Sequence, residues 1–247
     1  STQSISDPNV ILNTIVADAL ADVCDKLEKV ADDPRAVEME AHELTKQMLT
    51  DHQRIIFNGN GYSEEWIKEA ERRGLPNLKS MVDAIPTLVT DKAIEMFEKF
   101  GVFTKAELES RAEILFEQYA QTINIEALAA LDIAKKQIVP AVMKYQKQLA
   151  DSVAVLKETG VDTSVQEALL GDITENLKEM YTAIGVLAAD EEKAKSMDED
   201  AEKQARYYHD IIFADMNAVR EPADKLEMLV AKEDWPMPSY GDLIFEV

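Results

Sequence analysis

The feature that most constrains this chain is an apolar repeat at intervals of three and four residues, which recurs from Val10 to Leu229. Its first segment consists of Val10, Ile11, Ile15, Val16, Ala19, Leu20, Val23 and Leu27. This spacing places the apolar side chains on one face of an α-helix. No useful length of the sequence alternates apolar and polar residues as a half-buried strand does. The chain is therefore predicted to be all-α.

Helix-breaking and capping residues divide residues 1–103 into several shorter helices. Ser63 precedes Glu64 and is a good N-cap, and a further short helix is predicted from Asp91 to Phe100. The predicted boundaries lie at Asp7-Pro8-Asn9, Asp32-Asp33-Pro34, Asn58-Gly59-Asn60-Gly61, Gly74-Leu75-Pro76, Pro86 and Gly101.

Residues 104–247 have a different pattern, with longer periodic segments. Thr104 and Glu107 form a capping-box pattern, and the helix that they begin is predicted to continue to Leu156 with a kink at Pro140. A second helix is predicted from Val165 to the acidic run Asp190-Glu191-Glu192, and a third from near Ala194 to Leu229. Long helices with short connections predict an antiparallel bundle or a coiled-coil-like hairpin.

The last segment, Trp235 to Phe245, is rich in aromatic residues and proline. It is predicted to be non-helical and to dock against another surface. The predicted organisation is thus a set of shorter helices over residues 1–103, followed over residues 104–247 by a long-helix bundle with a docked aromatic tail.

Charge and cysteine content exclude several classes of function. Asp and Glu number 48 against 26 Lys and Arg, a formal net charge of -22, so nucleic acid and anionic membrane surfaces are not expected partners. With one cysteine, Cys24, no intrachain disulfide can form, and a reducing cytoplasm is expected. Cys24 lies in an apolar helical pattern and is predicted to be a small buried residue.

The sequence contains no recognisable catalytic or metal-binding motif. The histidines, His42, His52 and His209, lack a glutamate three residues before them, so no Glu-x-x-His pair for a di-iron site is present. A surface or hydrogen-bonded role is favoured for each. No Gly-x-Ser-x-Gly nucleophile pattern occurs, and a buried Cys24 would be a poor nucleophile.

Two polar segments are weaker candidates for a site. Residues 58–62, Asn-Gly-Asn-Gly-Tyr, superficially resemble a phosphate-binding loop but lack its lysine, and a tight turn with positive φ is favoured. A polar run could line a site, although a buried hydrogen-bond network or a solvated face is favoured. Its members are Gln118, Gln121, Thr122, Asn124 and Glu126.

Several longer strings resemble the C-terminal part of type III glutamine synthetases, the long-chain form found in many bacteria. They are the stretches 4–17 and 54–63, the strings Thr122-Ile123-Asn124-Ile125-Glu126-Ala127 and Ala134-Lys135-Lys136-Gln137-Ile138, and the closing segment from Trp235. Residues 77–107 are more weakly similar to the last helices of shorter synthetases. The resemblance runs from end to end of the chain.

This resemblance implies a parent enzyme that makes glutamine from glutamate and ammonia through γ-glutamyl phosphate, with ATP and Mg or Mn ions. The family's metal-binding glutamates and catalytic loops match positions upstream of Ser1. No catalytic, cofactor-binding or metal-binding residue is therefore predicted here, and the isolated chain is expected to be inactive. Tyr62 lies near the position of a modified tyrosine in some short-form enzymes, but the surrounding strings differ.

The resemblance also implies partners. The chain is expected to pack against the upstream catalytic part of the same protein, in a homo-oligomer of two stacked hexameric rings. The missing initiator methionine is consistent with a fragment, and residues up to about Phe103 would then expose an apolar patch. A self-contained helical interaction or scaffold module fits the periodicity equally well and remains the alternative.

Overall fold

The computed structural model describes residues 4–197 and 199–245, which form helices and turns without a β-strand among them. The all-α prediction is confirmed. Two compact units can be distinguished, Ser1–Ala112 and Glu113–Val247, and their boundary lies within a helix. Ser1, the first residue of the expected fragment, is outside the described residues. The assignment of residues 1–103 to a catalytic domain and of 104–247 to an extension stays a prediction.

The first unit contains short and medium helices. They are α1 (Ser6–Leu27), α2 (Pro34–Asp51), α3 (Glu64–Arg72), α4 (Met81–Ala84), α5 (Asp91–Lys99) and the beginning of α6 (Lys105–Ile133). Short 3₁₀ turns occupy Glu28–Val30, Gln53–Ile55 and Ile85–Val89.

Local sequence sets these helix ends. The Ser63 hydroxyl oxygen accepts a hydrogen bond from the Trp66 backbone N–H at 3.3 Å, as its predicted capping role requires. Gly74 adopts φ +69° directly after α3, a left-handed conformation that favours glycine. At the start of α6, the Thr104 N–H donates to Glu107 Oε2 at 2.8 Å and the Glu107 N–H donates to Thr104 Oγ1 at 3.3 Å. The predicted capping box is confirmed.

The core of the first unit is small. Its buried apolar side chains are Leu44, Val82, Ile85, Phe97, Leu108 and Ala112. The rings of Phe97 and Phe103 lie 5.5 Å apart at 50°, a tilted arrangement that aromatic pairs favour. The region from α4 to α5 therefore supplies half of these buried side chains: Val82, Ile85 and Phe97.

The second unit contains the remainder of α6 and the long helices. They are α7 (Val139–Glu158), α8 (Ser164–Lys195), α9 (Ala201–Tyr207), α10 (Phe213–Leu229) and a short α11 (Tyr240–Phe245). Two π-helical turns, Ala134–Ile138 and Tyr208–Ile212, join α6 to α7 and α9 to α10.

Side-chain contacts show that α8 runs antiparallel to α7 and to α10. Between α7 and α8, Gln146 contacts Thr174 at 2.7 Å and Lys157 contacts Glu167 at 2.7 Å. Lys225 Nζ of α10 lies 3.9 Å from Glu179 Oε2 of α8. The Tyr207 hydroxyl, at the end of α9, donates to Asp190, which is nearer the C-terminus of α8. The predicted antiparallel arrangement of long helices is confirmed.

Three predicted boundaries in this unit differ from the structure. The break in the first long helix is the π-turn before Pro140, which takes the second position of α7, where a missing N–H is tolerated. The acidic run does not end α8, which continues to Lys195, because Glu191 is buried and paired with Lys195 at 2.8 Å. The third helix begins at Ala201 with Asp200 as its cap, seven residues after the predicted start near Ala194.

The prediction of a wholly non-helical tail is wrong, because α11 forms within it. Ser239 Oγ donates to Asp242 Oδ2 at 2.7 Å at the start of α11, and Lys232 Nζ lies 2.7 Å from Asp242 Oδ1. These hydrogen bonds lower the pKa of Asp242 to about 2. Trp235 is half-buried and lines a cavity of about 710 Å³ with residues of α10.

No helix of the described residues is long and apolar enough to span a lipid bilayer.

Candidate functional site

Four large apolar side chains are exposed along α1 of the first unit, and we call this surface the α1 apolar face. It consists of Leu12, Ile15, Val16 and Leu20. Leu12 is 60% exposed and Leu20, a member of the predicted apolar repeat, is 58% exposed. From Leu12 to Leu20 the face extends along about two turns of helix, roughly 12 Å.

The opposite side of α1 makes the contacts within the first unit. Thr14 is buried and its hydroxyl donates to the Val10 carbonyl at 2.8 Å. Lys99 Nζ at the end of α5 lies 2.7 Å from Asp18 Oδ1 and 3.4 Å from Asp22 Oδ1. The residues of the α1 apolar face point outward, whereas Ile11 and Leu27 are half-buried. The apolar patch expected for the first section is present.

Cys24 also lies on the outside of α1. The thiol is free and the residue is exposed, so the prediction of a small buried cysteine is wrong. The physical reason is the orientation of α1: the side that packs inward is the side of Thr14, and the apolar repeat that contains Cys24 is not the core face.

A cluster of aromatic and charged side chains holds the 53–57 segment against α3. The rings of Phe57 and Trp66 stack with centroids 4.1 Å apart, and the Arg73 guanidinium lies 5.5 Å from the Trp66 ring centre. Arg73 Nη1 donates to the Ile56 carbonyl at 3.0 Å, and Arg73 Nε donates to Glu69 Oε1 at 2.6 Å. Hydrogen bonds from Arg72 and then Arg73 lower the pKa of Glu69 to about 2.

The loop of residues 58–62 is a turn, but not of the predicted kind. Neither Gly59 nor Gly61 has a positive φ. The turn instead uses the Asn60 side chain, whose Oδ1 accepts from the Tyr62 N–H at 3.0 Å. A Cβ on Gly59 would lie 2.4 Å from Phe57 Cζ, so close approach of this ring explains the glycine. Tyr62 is 99% exposed; its modification stays untested.

The histidines do not come together in a site. His42 and His52 are exposed in the first unit, and His209 in the second unit contacts Asp210 through Nδ1 at 2.7 Å. Among residues 4–197 and 199–245, no three His, Cys, Asp or Glu side chains are placed to hold a metal ion.

The polar run on α6 is largely a solvated face. Gln118, Gln121, Thr122 and Glu126 are exposed, and only Asn124 is partly buried. The apolar seam is not interrupted here, because it continues on the other side of the helix. Its buried members in this region are Phe116, Ala120, Ile123, Ala127, Leu131, Ala134 and Ile138.

A carboxyl pair that sequence patterns did not identify lies between α8 and α10. The Tyr207 hydroxyl donates to Asp190 Oδ1 at 2.5 Å. Burial, together with the nearby Asp190 carboxylate, raises the pKa of Asp215. Burial and the same hydrogen bond raise the pKa of Tyr207. These three residues are separate in sequence, and only the packing of α8 against α9 and α10 brings them together.

Comparison with known proteins identifies the family. Residues 40–157 match the glutamine synthetase C-terminal domain. A glutamine synthetase of Butyrivibrio fibrisolvens is 36% identical over 207 residues, which cover 83% of this chain and 29% of that protein. A type-3 glutamine synthetase of Dictyostelium discoideum is 31% identical over 254 residues, covering 99% and 34% respectively.

A third relative, a glutamine synthetase of Bacteroides fragilis (strain YCH46), is 28% identical over 242 residues, or 96% of this chain and 33% of the relative. The chain thus spans about a third of the length of these relatives. The resemblance stated from the sequence is confirmed, and this chain belongs to the glutamine synthetase family, in the part that includes its C-terminal domain.

Proposed function

We propose that this chain is the helical C-terminal part of a type III glutamine synthetase and that it serves assembly of the enzyme rather than chemistry. The α1 apolar face carries this proposal. Under this proposal, the whole protein ligates ammonia to glutamate in the cytoplasm. The reaction uses ATP and Mg or Mn ions. The relatives are about three times as long as the region that they share with this chain, which leaves ample protein for a catalytic part.

The proposed partner of the α1 apolar face is the catalytic part of the same protein. Leu12, Val16 and Leu20 recur at intervals of four, so their side chains form a continuous stripe on one side of α1. Burying an apolar side chain of this size stabilises a contact by roughly 1.5–3 kcal/mol when it leaves water completely. A partner that covers the stripe would therefore gain several such contributions from one helix.

The second unit has a distinct role in this proposal. Its long antiparallel helices offer extended surfaces, which are better suited to contacts between subunits than to catalysis. Stacked hexameric rings are the assembly that we propose for the whole enzyme. ATP and metal binding belong to the catalytic part in this proposal.

Substitution of the α1 apolar face tests the proposal. The double substitution Leu12→Gln and Leu20→Gln, placed in the longer protein that contains this chain, should leave helix content unchanged but weaken assembly. Formation of γ-glutamyl hydroxamate from glutamate, hydroxylamine and ATP should fall at least tenfold, and size-exclusion chromatography with light scattering should show smaller species. The unsubstituted 247-residue chain should form no hydroxamate by itself.

A matched control uses two exposed apolar residues of the first unit outside α1, Met39→Gln and Leu78→Gln. This variant should keep both activity and assembly. Normal assembly of the Leu12/Leu20 variant would refute the proposed role of α1, and hydroxamate formation by the isolated chain would refute the division of labour between the two parts.

A further inference from the structure

A cavity of about 910 Å³ in the first unit is lined by basic side chains, and we call it the α2–α3 cavity. Its walls are the second half of α2, the 3₁₀ turn after it and the end of α3. The lining residues are His42, Thr45, Lys46, Leu49, Thr50, Gln53, Arg54, Ile56, Arg72 and Arg73.

The charge of this lining differs from that of the chain as a whole. Four of the ten lining residues are Lys or Arg and none is Asp or Glu, whereas acidic residues in the whole chain outnumber basic ones by 48 to 26. A concave surface with one sign of charge concentrates ligands of the opposite sign. The excess of basic residues in the cavity lining therefore favours an anionic ligand.

The basic groups do not all have carboxylate partners. Arg73 and Arg72 are held by Glu69, Arg72 through Nε and Nη2 at 2.7 Å each. Within the described part of the chain, the Arg54 guanidinium has no hydrogen bond or ion pair, and Lys46 has only a 3.6 Å contact with exposed Glu43. Arg54 and Lys46 are therefore free to bind a ligand, while the Glu69 carboxylate fixes the other two guanidinium groups.

Contacts with the end of α3 hold the backbone around Arg54 in place. Arg73 Nη1 donates to the carbonyls of Arg54 and Ile56, at 3.3 Å and 3.0 Å, and the Phe57–Trp66 stack holds the following residue. The 3₁₀ turn that presents Arg54 is thus attached to α3. A preorganised turn lowers the entropic cost of binding, because the donor does not have to be positioned by the ligand.

The remaining polar groups also favour an acceptor-rich ligand. The hydroxyl hydrogens of Thr45 and Thr50 are already donated to the carbonyls of Ala41 and Lys46, both at 2.8 Å. The available donors are consequently the cationic groups, the Gln53 amide and the imidazole N–H of His42. Leu49 and Ile56 add apolar surface for the uncharged portion of a ligand.

We propose that the α2–α3 cavity binds a small molecule that carries a polyvalent phosphate group, with Arg54 and Lys46 as its principal contacts. The volume is in the range of small-molecule sites and exceeds the space that one phosphate would fill. Guanidinium groups match phosphate oxygens with paired hydrogen bonds, a geometry that the guanidinium of Arg54 can offer. The proposal does not depend on the activity of the longer protein.

Titration of the 247-residue chain with inorganic pyrophosphate tests the proposal by isothermal calorimetry in low-salt buffer. We expect one binding site whose affinity decreases as salt is added. Arg54→Gln and Lys46→Gln should each weaken binding by about tenfold, because each removes a charge-assisted hydrogen bond. Circular dichroism should show the same helix content in both variants, since the two side chains are exposed.

Matched controls are Arg35→Gln and Lys79→Gln, which make the same charge changes in the first unit outside the cavity. Both should bind pyrophosphate like the unsubstituted chain. Absence of binding at millimolar pyrophosphate, or equal affinity in the Arg54 and control variants, would overturn the proposal. Binding of a glutamate-rich peptide without binding of pyrophosphate would also overturn it and assign the cavity to an acidic protein segment.

Discussion

The ring of Phe57 lies on the indole of Trp66, with centroids 4.1 Å apart and planes 21° from parallel. This stack joins the segment after α2 to the first turns of α3, and Arg73 lies over the same pair of rings. The stacking of Phe57 on Trp66 therefore stabilises the wall of the α2–α3 cavity that carries Arg54.

Replacing Phe57 with leucine should remove the stack and reduce the free energy of unfolding of the first unit by about 1 kcal/mol. Since the chain contains two tryptophans, Trp66 and Trp235, a Trp235→Phe background leaves Trp66 as the reporter of the first unit. Urea denaturation followed by Trp66 fluorescence should show a lower midpoint. Phe245→Leu, at an exposed position, is the control and should leave the midpoint unchanged.

Gly59→Ala should also destabilise the first unit, by about 1–2 kcal/mol. The added Cβ would lie 2.4 Å from Phe57 Cζ, so the ring would have to leave its position on Trp66. Gly61→Ala is a close control, because a Cβ there meets nothing within 4 Å. If the two variants have the same urea midpoint in the Trp235→Phe background, the contact between Gly59 and Phe57 does not constrain the loop.

Thr104→Ala should reduce the free energy of unfolding of the first unit by about 1 kcal/mol, because it removes the hydroxyl that caps α6. The hydroxyl oxygen accepts from the Glu107 N–H, and the hydroxyl itself contacts Glu107 Oε2 at 2.9 Å. Thr45→Ala, in the middle of α2, should be neutral or slightly stabilising, since alanine is the better helix former there. An equal effect of both substitutions on the urea midpoint of the first unit would contradict the capping role.

Asp215 should make the stability of the second unit depend on pH. Its raised pKa means that, between the ordinary carboxyl pKa and the raised value, the folded state binds more protons than the unfolded state. The free energy of unfolding therefore decreases as the pH rises through this interval and levels off above it. Asp215→Asn should remove this decrease and stabilise the unit at pH 7 by about 1 kcal/mol.

Trp235 fluorescence in a Trp66→Phe background reports urea denaturation of the second unit across this pH range. Asp151→Asn changes an exposed carboxyl in the same unit and should retain the pH dependence of the unsubstituted protein. The same pH dependence in the Asp215→Asn variant would show that another group causes it.

Local sequence predicted the helices and several of their ends, because these depend on neighbours in the chain. Ser63 and Thr104 cap helices through side chains that reach residues three positions away, and such contacts form in any helix that starts there. Family membership was also recognisable from strings such as residues 54–63.

The orientation of helices could not be predicted in this way. The repeat that contains Ile15 and Leu20 correctly indicated an amphipathic α1, yet periodicity does not say which partner covers the apolar side. Glu191 belongs to the acidic run that was expected to end the second long helix, but it is buried within α8 and pairs with Lys195 at 2.8 Å. The exposure of Cys24 could not be predicted either, because it depends on which side of α1 packs inward.

The sequence by itself determined an acidic, all-α chain of the glutamine synthetase family, since composition, helical periodicity and family strings are properties of the chain. Only the tertiary structure decided which side chains come together and which surfaces stay exposed. Arg54 and Arg72 line one cavity, and Asp190 and Asp215 form a pair, because packing brings together residues whose separation along the chain carries no information about distance. The α1 apolar face is the outward side of a helix whose other side packs against α5, and that choice of side is a tertiary property.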